Sequence, residues 1–191
     1  MKITGAEDLR VQKSIKAIRK AFTELIVKKD YEKITVKELC EVAMINKKTF
    51  YQYYKDVDAL LDEIQSEYTS EYLEIVKDFE FPKDLIKANR EFFLYSSKQD
   101  ALYEKITCCG KFLSLRKKML EKVMQNTWLK SESFNSLDRF HQEVLLNHIN
   151  TATVEMYKQW IESGKKIPLV EIIKLSQTII FDGIKGFLKK Y

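Results

Sequence analysis

Residues 35–55 read TVKELCEVAMINKKTFYQYYK, and their caps and apolar positions resolve into two short helices joined by a tight turn. Thr35 followed by Glu38 is a capping-box pair, a hydroxyl and a carboxylate that can satisfy backbone N–H groups left unpaired in a first helical turn. Leu39, Val42 and Ala43 give the first helix an apolar side, and Ala43, Met44 and Ile45 end it. Asn46 is a favourable N-cap for a second helix over Lys47 to Tyr54, in which Phe50 faces inward with Tyr54 one turn later. Lys47, Lys48, Thr49, Tyr51 and Gln52 are then left toward solvent. The pair reads as a helix-turn-helix.

Upstream, Ile15, Ile18, Phe22, Leu25 and Ile26 recur at steps of three and four, while Lys13, Lys16, Arg19 and Lys20 stay mostly off that stripe. This predicts a supporting helix and hence a three-helix head. Lys28 to Tyr31 break the periodicity ahead of Ile34. The first eight residues are expected to fray, with Lys2 and Arg10 the only cations for a basic arm.

The charge is distributed unevenly. The whole chain carries a net +5 on 191 residues, but through residue 55 there are thirteen basic and seven acidic side chains, a net +6, which leaves −1 for the rest. A cationic head on a nearly neutral body suits a polyanionic partner. Lys47 and Lys48 also stand in a first helical turn, where the macrodipole is positive and each costs roughly 0.3 to 1 kcal/mol unless an anion is present. A helix presenting basic, hydroxyl, amide and aromatic side chains is built to touch nucleic acid.

The segment resembles the TetR-type bacterial transcriptional regulators over about the first 60 residues. In that family the second half of the helix-turn-helix resembles KxTFYxYFK and leads into a long connecting helix. The corresponding residues here are Lys47, Lys48, Thr49, Phe50, Tyr51, Gln52, Tyr53, Tyr54 and Lys55, followed by Asp56 to Leu61. Met44 stands where the family usually places a glycine, and Lys48 where a small residue is common. A left-handed turn at Met44 would therefore be strained.

The resemblance implies an all-α protein with a DNA-binding head over 1–56 and a helical effector-binding and dimerisation body over 57–191. It implies that Thr35, Lys37, Tyr51, Tyr53 and Lys55 touch the sugar-phosphate backbone, and that Lys47, Lys48, Thr49 and Gln52 point at base edges, with Asn46 beside them at the helix entrance. The partners so implied are a palindromic double-stranded DNA operator, a second copy of the chain and a small-molecule effector. Repression released by ligand is the expected direction, with an activator or adaptor as the alternative.

After Lys55 the pattern is helical throughout. Asp56 can cap a long helix bearing Val57, Leu60, Leu61, Ile64, Tyr68 and Ile75 on one face, and Pro82 suits the first turn of another through about Ser97. Ser97–Asp100 and Thr107–Gly110 read as interruptions, 111–125 as a helix, and 126–136 as no single element. Leu137, Phe140, Val144, Ile149, Ala152, Met156 and Trp160 form one apolar face ending at Gly164. Pro168 opens a last helix that is more apolar than one buried stripe requires, which points to a partner. By the resemblance, Trp160, Ile180, Gly183 and Phe187 are expected at a four-helix dimer interface.

Other function classes find little support. His141 and His148 are two turns apart, not at the one-turn spacing of a helical zinc site, and there is no glycine-rich phosphate loop or nucleophile motif, so no cofactor or metal is expected. Three cysteines, Cys40, Cys108 and Cys109, give no disulfide framework. No run of about 20 apolar residues spans a bilayer and no signal-peptide segment follows the charged N-terminus, so a cytoplasmic location is expected. Tyr72, Phe92, Phe93, Tyr95, Tyr103, Phe112 and Trp128 are candidate pocket aromatics, with core packing the competing role. The rival reading is a helical module whose basic head binds an acidic protein.

Overall fold

A computed structural model describes residues 5–108 and 127–190, with side chains from 9 to 108 and from 127 to 182. The described chain is all-α and divides into two compact units, Met1–Gln65 and Ser66–Tyr191.

In the first unit α1 runs Gly5–Lys28, a 3-10 turn covers Tyr31–Lys33, and α2 (Val36–Val42) and α3 (Lys47–Tyr53) form the helix-turn-helix. The long α4 (Val57–Val76) starts here and ends in the second unit. Helix α1 begins earlier than expected: Gly5 to Asp8 are helical instead of frayed. Lys2 and Thr4 lie outside the described residues. Ile18, Phe22 and Ile26 of α1, Leu39 of α2, Phe50 of α3 and Leu60 and Leu61 of α4 are fully buried. Each such side chain contributes about 1.5–3 kcal/mol of burial.

The second unit continues with α5 (Leu85–Ser96), α6 (Ala101–Cys108), a 3-10 turn at Trp128–Lys130, the short α7 (Glu132–Asn135), and the long α8 (Arg139–Glu162) and α9 (Leu169–Lys190). Helix α9 packs on α5 and α8, and α6 packs on α8. One core cluster holds Trp128, Phe134, Leu145, Ile149 and Ile180, and a second holds Phe93, Tyr103, Tyr157, Trp160, Ile172 and Ile173.

Several boundaries differ from the sequence reading. Helix α5 starts at Leu85, not at Pro82, because Asp84 Oδ2 accepts from the Glu80 backbone N–H at 3.0 Å and closes a separate turn first. On α4 the inward residue near the end is Val76, with Ile75 exposed. Thr107 belongs to α6 and does not interrupt it. Phe140 and Val144 are exposed, so the buried stripe of α8 runs through Leu145, Leu146 and Ile149 instead. The expected helix over 111–125 lies outside the described residues, as do Cys109 and Phe112.

Candidate nucleic-acid interface

The helix-turn-helix is assembled by local caps. Thr35 Oγ1 accepts from the Glu38 backbone N–H at 3.2 Å, while the Glu38 carboxylate takes the Lys29 ammonium and so ties α2 to the end of α1. Asn46 Oδ1 accepts from the Thr49 N–H at 2.7 Å and from the Thr49 hydroxyl at 3.0 Å. The Asn46 side chain is thereby committed to opening α3, and the Thr49 hydroxyl to Asn46. Asp56 Oδ1 accepts from the Ala59 N–H at 2.8 Å and starts α4.

The turn between the helices is a Schellman closure. The Ile45 N–H reaches the Cys40 carbonyl at 3.0 Å and the Met44 N–H the Glu41 carbonyl at 3.3 Å, with Met44 at φ 53°. This is the left-handed position that glycine normally takes, and a side chain there costs about 1–2 kcal/mol. Met44 is 91% exposed and recovers little of that cost by packing. Cys40 is buried behind the turn, and desolvation pushes its thiol upward in pKa, so it behaves as an unreactive core residue.

On α3 only Phe50 is buried, packed edge-on against Tyr51 at 5.6 Å and in a tilted contact with Tyr54 at 5.7 Å. Lys47, Lys48, Tyr51, Gln52 and Lys55 are exposed, Thr49 and Tyr53 partly so, and Tyr54 is buried at the helix end. Thr35 and Lys37 are exposed at the start of α2, where Lys37 lies 3.9 Å from Glu41. Lys47, Lys48 and Lys55 make no ion pair with any described residue. Elsewhere in the head, Arg19 lies 3.9 Å from Glu63, Lys33 3.1 Å from Asp30, and Lys29 is held by Glu38. Cations left without carboxylate partners keep their full charge for an external anion.

Sequence reasoning missed the ties that hold α4 to the head. Tyr54 Oη donates to Glu63 Oε1 at 2.7 Å, Arg19 approaches the same carboxylate, and the Tyr31 hydroxyl donates to Asp58. Burial and the Asp58 carboxylate together push the Tyr31 phenol well above its ordinary pKa, so it stays a donor. No local pattern announces such long-range pairs.

Residues 18–64 match the profile of bacterial regulatory proteins of the tetR family. The head of the chain is thus a TetR-family helix-turn-helix domain. The described residues are all-α, and the domain matched is that of bacterial regulatory proteins, which supports a transcriptional regulator. The chain is similar to the HTH-type dhaKLM operon transcriptional activator DhaS of Lactococcus lactis, 29% identical over 135 residues that cover 65% of this chain and 69% of that protein. Among solved structures, a TetR transcriptional regulator from Streptococcus agalactiae aligns with a TM-score of 0.68 at 20% identity, covering 92% of this chain and 97% of the other. The fatty acid degradation regulator FadR from Bacillus halodurans aligns at 0.62 and 16% identity over 87% and 94%. Dihydroxyacetone kinase operon activator DhaS aligns at 0.51 and 21% identity over 90% and 96%. These structural likenesses concern the fold.

In the body, the candidate pocket aromatics among the described residues are packed on one another. Tyr72 meets Phe92 at 6.1 Å and Tyr95 at 6.0 Å, Phe92 meets Phe93 at 5.6 Å, and Tyr95 meets Tyr103 at 5.8 Å, while Trp128 lies in the other cluster against Phe81 and Phe134. Their hydroxyls are satisfied: Tyr72 donates to the Ala88 carbonyl at 3.2 Å, Tyr95 to Glu71 at 2.9 Å, and Tyr103 pairs with Ser96 Oγ at 2.7 Å. Burial raises the Tyr103 phenol to about 12. Of the residues expected at the dimer face, Trp160 is buried and donates Nε1–H to the Ile167 carbonyl at 2.8 Å, and Ile180 is buried against Leu85 and Ile149. Both are used inside the chain's own core. Gly183 and Phe187 lie in α9, outside the described side chains. The apolar side chains left exposed on the two long helices are instead Phe140, Val144, Val170, Leu175 and Ile179. None of the described helices is long and apolar enough to cross a membrane.

Proposed function

We propose that the protein regulates transcription as a homodimer that reads a palindromic operator, with Lys47, Lys48, Thr49 and Gln52 at base edges and Thr35, Lys37, Tyr51, Tyr53 and Lys55 on the sugar-phosphate backbone. The observation that carries this reading is the unpaired cationic surface of α3. Asn46 serves it indirectly, by capping α3. Two heads related by a two-fold axis present two such helices to successive major grooves.

Exposed Leu175 and Ile179, one turn apart on α9, support a dimer contact there. A small effector bound in the body shifts the operator affinity by its preference between two arrangements of the dimer. The protein acts in the cytoplasm, where its DNA is. Repression by operator occupancy is the simplest direction. The likeness to DhaS, a protein named as an activator, favours activation as a second reading.

Selection of genomic fragments by the purified protein, with and without cell extract, tests target and effector together. Convergence on a two-fold symmetric site whose recovery changes with extract supports the proposal. Recovery of random, weakly held fragments contradicts it. A reporter placed behind the selected site then separates repression from activation by the sign of its change when the regulator is deleted.

A further inference from the structure

Beside the entrance to α3 the head carries an open groove of about 510 Å³ lined by Leu9, Arg10, Lys13, Ser14, Ala17 and Ile45. One wall is the N-terminal half of α1, and the other is Ile45, which immediately precedes the cap of α3. Its α1 wall lies ahead of residues 18–64, the stretch that the family profile describes. Arg10 and Lys13 are exposed and make no ion pair with any described residue. The Ser14 hydroxyl is occupied by the Arg10 carbonyl at 3.0 Å, so the charge of the groove comes from those two cations. Leu9 is 59% exposed at its edge.

We infer that this groove seats the DNA backbone just outside each half-site, with Arg10 and Lys13 on successive phosphates and Leu9 against the deoxyribose between them. Resting on the operator-binding reading, the inference extends the contact beyond α3. Two arguments select duplex DNA as the occupant. Ile45 on one wall stands two residues ahead of Lys47 at the start of α3, so a duplex seated on α3 would extend toward the groove. Its two unpaired cations beside an apolar lip match the alternation of phosphate and sugar along a backbone. The contact carries no base reading, so it strengthens binding to every sequence alike.

The test compares the intact protein with Arg10→Ala/Lys13→Ala, titrated onto the selected operator and onto an unrelated duplex at several salt concentrations. Both residues are exposed, and unchanged thermal unfolding confirms that the variant folds. The expected result is a loss on the order of tenfold on both duplexes, with the salt slope shallower by about 1.8 per half-site, about 0.9 for each phosphate. Ethylation of the backbone phosphates flanking each half-site should interfere with the intact protein and not with the variant. Unchanged slope and interference overturn the inference. So does a variant that binds DNA normally but fails to activate a promoter in a purified transcription reaction, which assigns the groove to an acidic protein surface. If the intact protein selects no site, the operator-binding reading falls and this inference with it. If the intact protein selects a site and the variant matches it, only the groove assignment falls.

Discussion

Head and body use their charges in opposite ways. In the body most described cations lie beside a carboxylate: Lys87 is 2.6 Å from Asp84, Arg139 3.0 Å from Glu143, Lys165 3.0 Å from Glu104, and Lys77 is paired with Glu74. Exposed pairs like these add little stability, but they cancel one another's field. On and just after α3 of the head, Lys47, Lys48 and Lys55 have no such partners among the described residues. The body's long helices instead leave Phe140 70% exposed and Val170 64% exposed, with Leu175 and Ile179 near half. Unsatisfied charge calls for a polyanion and unsatisfied apolar surface calls for an apolar partner. The two units therefore advertise different partners by different physics.

That contrast can be broken from either side. The largest effect is expected from Leu175→Glu/Ile179→Glu, which would place two carboxylates in the proposed apolar contact at a cost of several kcal/mol. The variant should sediment as a monomer at micromolar concentration while keeping its helix content, and a dimer indistinguishable from the unaltered one would remove α9 from the interface. Next comes Lys47→Ala/Lys48→Ala, expected to weaken operator binding by about 2–4 kcal/mol without loss of thermal stability. A change under about twofold in a direct titration would mean that the unpaired cations do not meet DNA.

The smallest effects sharpen a comparison of two helix ends. Helices α2 and α8 both end in a Schellman closure, with Met44 at φ 53° in one and Gly164 at φ 73° in the other. The same position thus carries a side chain in the head and a glycine in the body, where Lys165 at φ 58° takes a left-handed conformation one residue later. Met44→Gly should raise the head's melting free energy by about 0.5–1 kcal/mol, since almost no packing is lost, and Gly164→Ala should cost a similar amount by strain alone. The space around Gly164 would admit a Cβ without contact. Calorimetry showing both substitutions neutral would contradict the account of these turns.

What was legible in the sequence was local. Thr35, Asn46 and Asp56 announce their helices because a cap bonds to a backbone N–H three residues on, and each cap bond is present. Phe50 was readable as the inward residue of α3 because its neighbours are all polar or aromatic. The ties from Tyr31 to Asp58 and from Tyr54 to Glu63 span 27 and 9 residues and leave no such trace. In α9 the excess of apolar residues was visible, but periodicity does not say which stripe faces inward. The chain's own core takes Ile172, Ile173 and Ile180 and leaves Leu175 and Ile179 outside. For the same reason Trp160 looked available to a partner and is enclosed instead. The Glu38 half of the capping box went elsewhere because Lys29 offers a full positive charge where the Thr35 N–H offers only a partial one.

The central claim is that α3 reads base sequence, and comparative titration tests it most directly. The selected operator and a scrambled duplex of equal length and composition should be measured at one physiological salt concentration, since affinities without the salt are not comparable. The account predicts binding at least about a thousandfold tighter to the operator. Equal affinity for the two duplexes would contradict it.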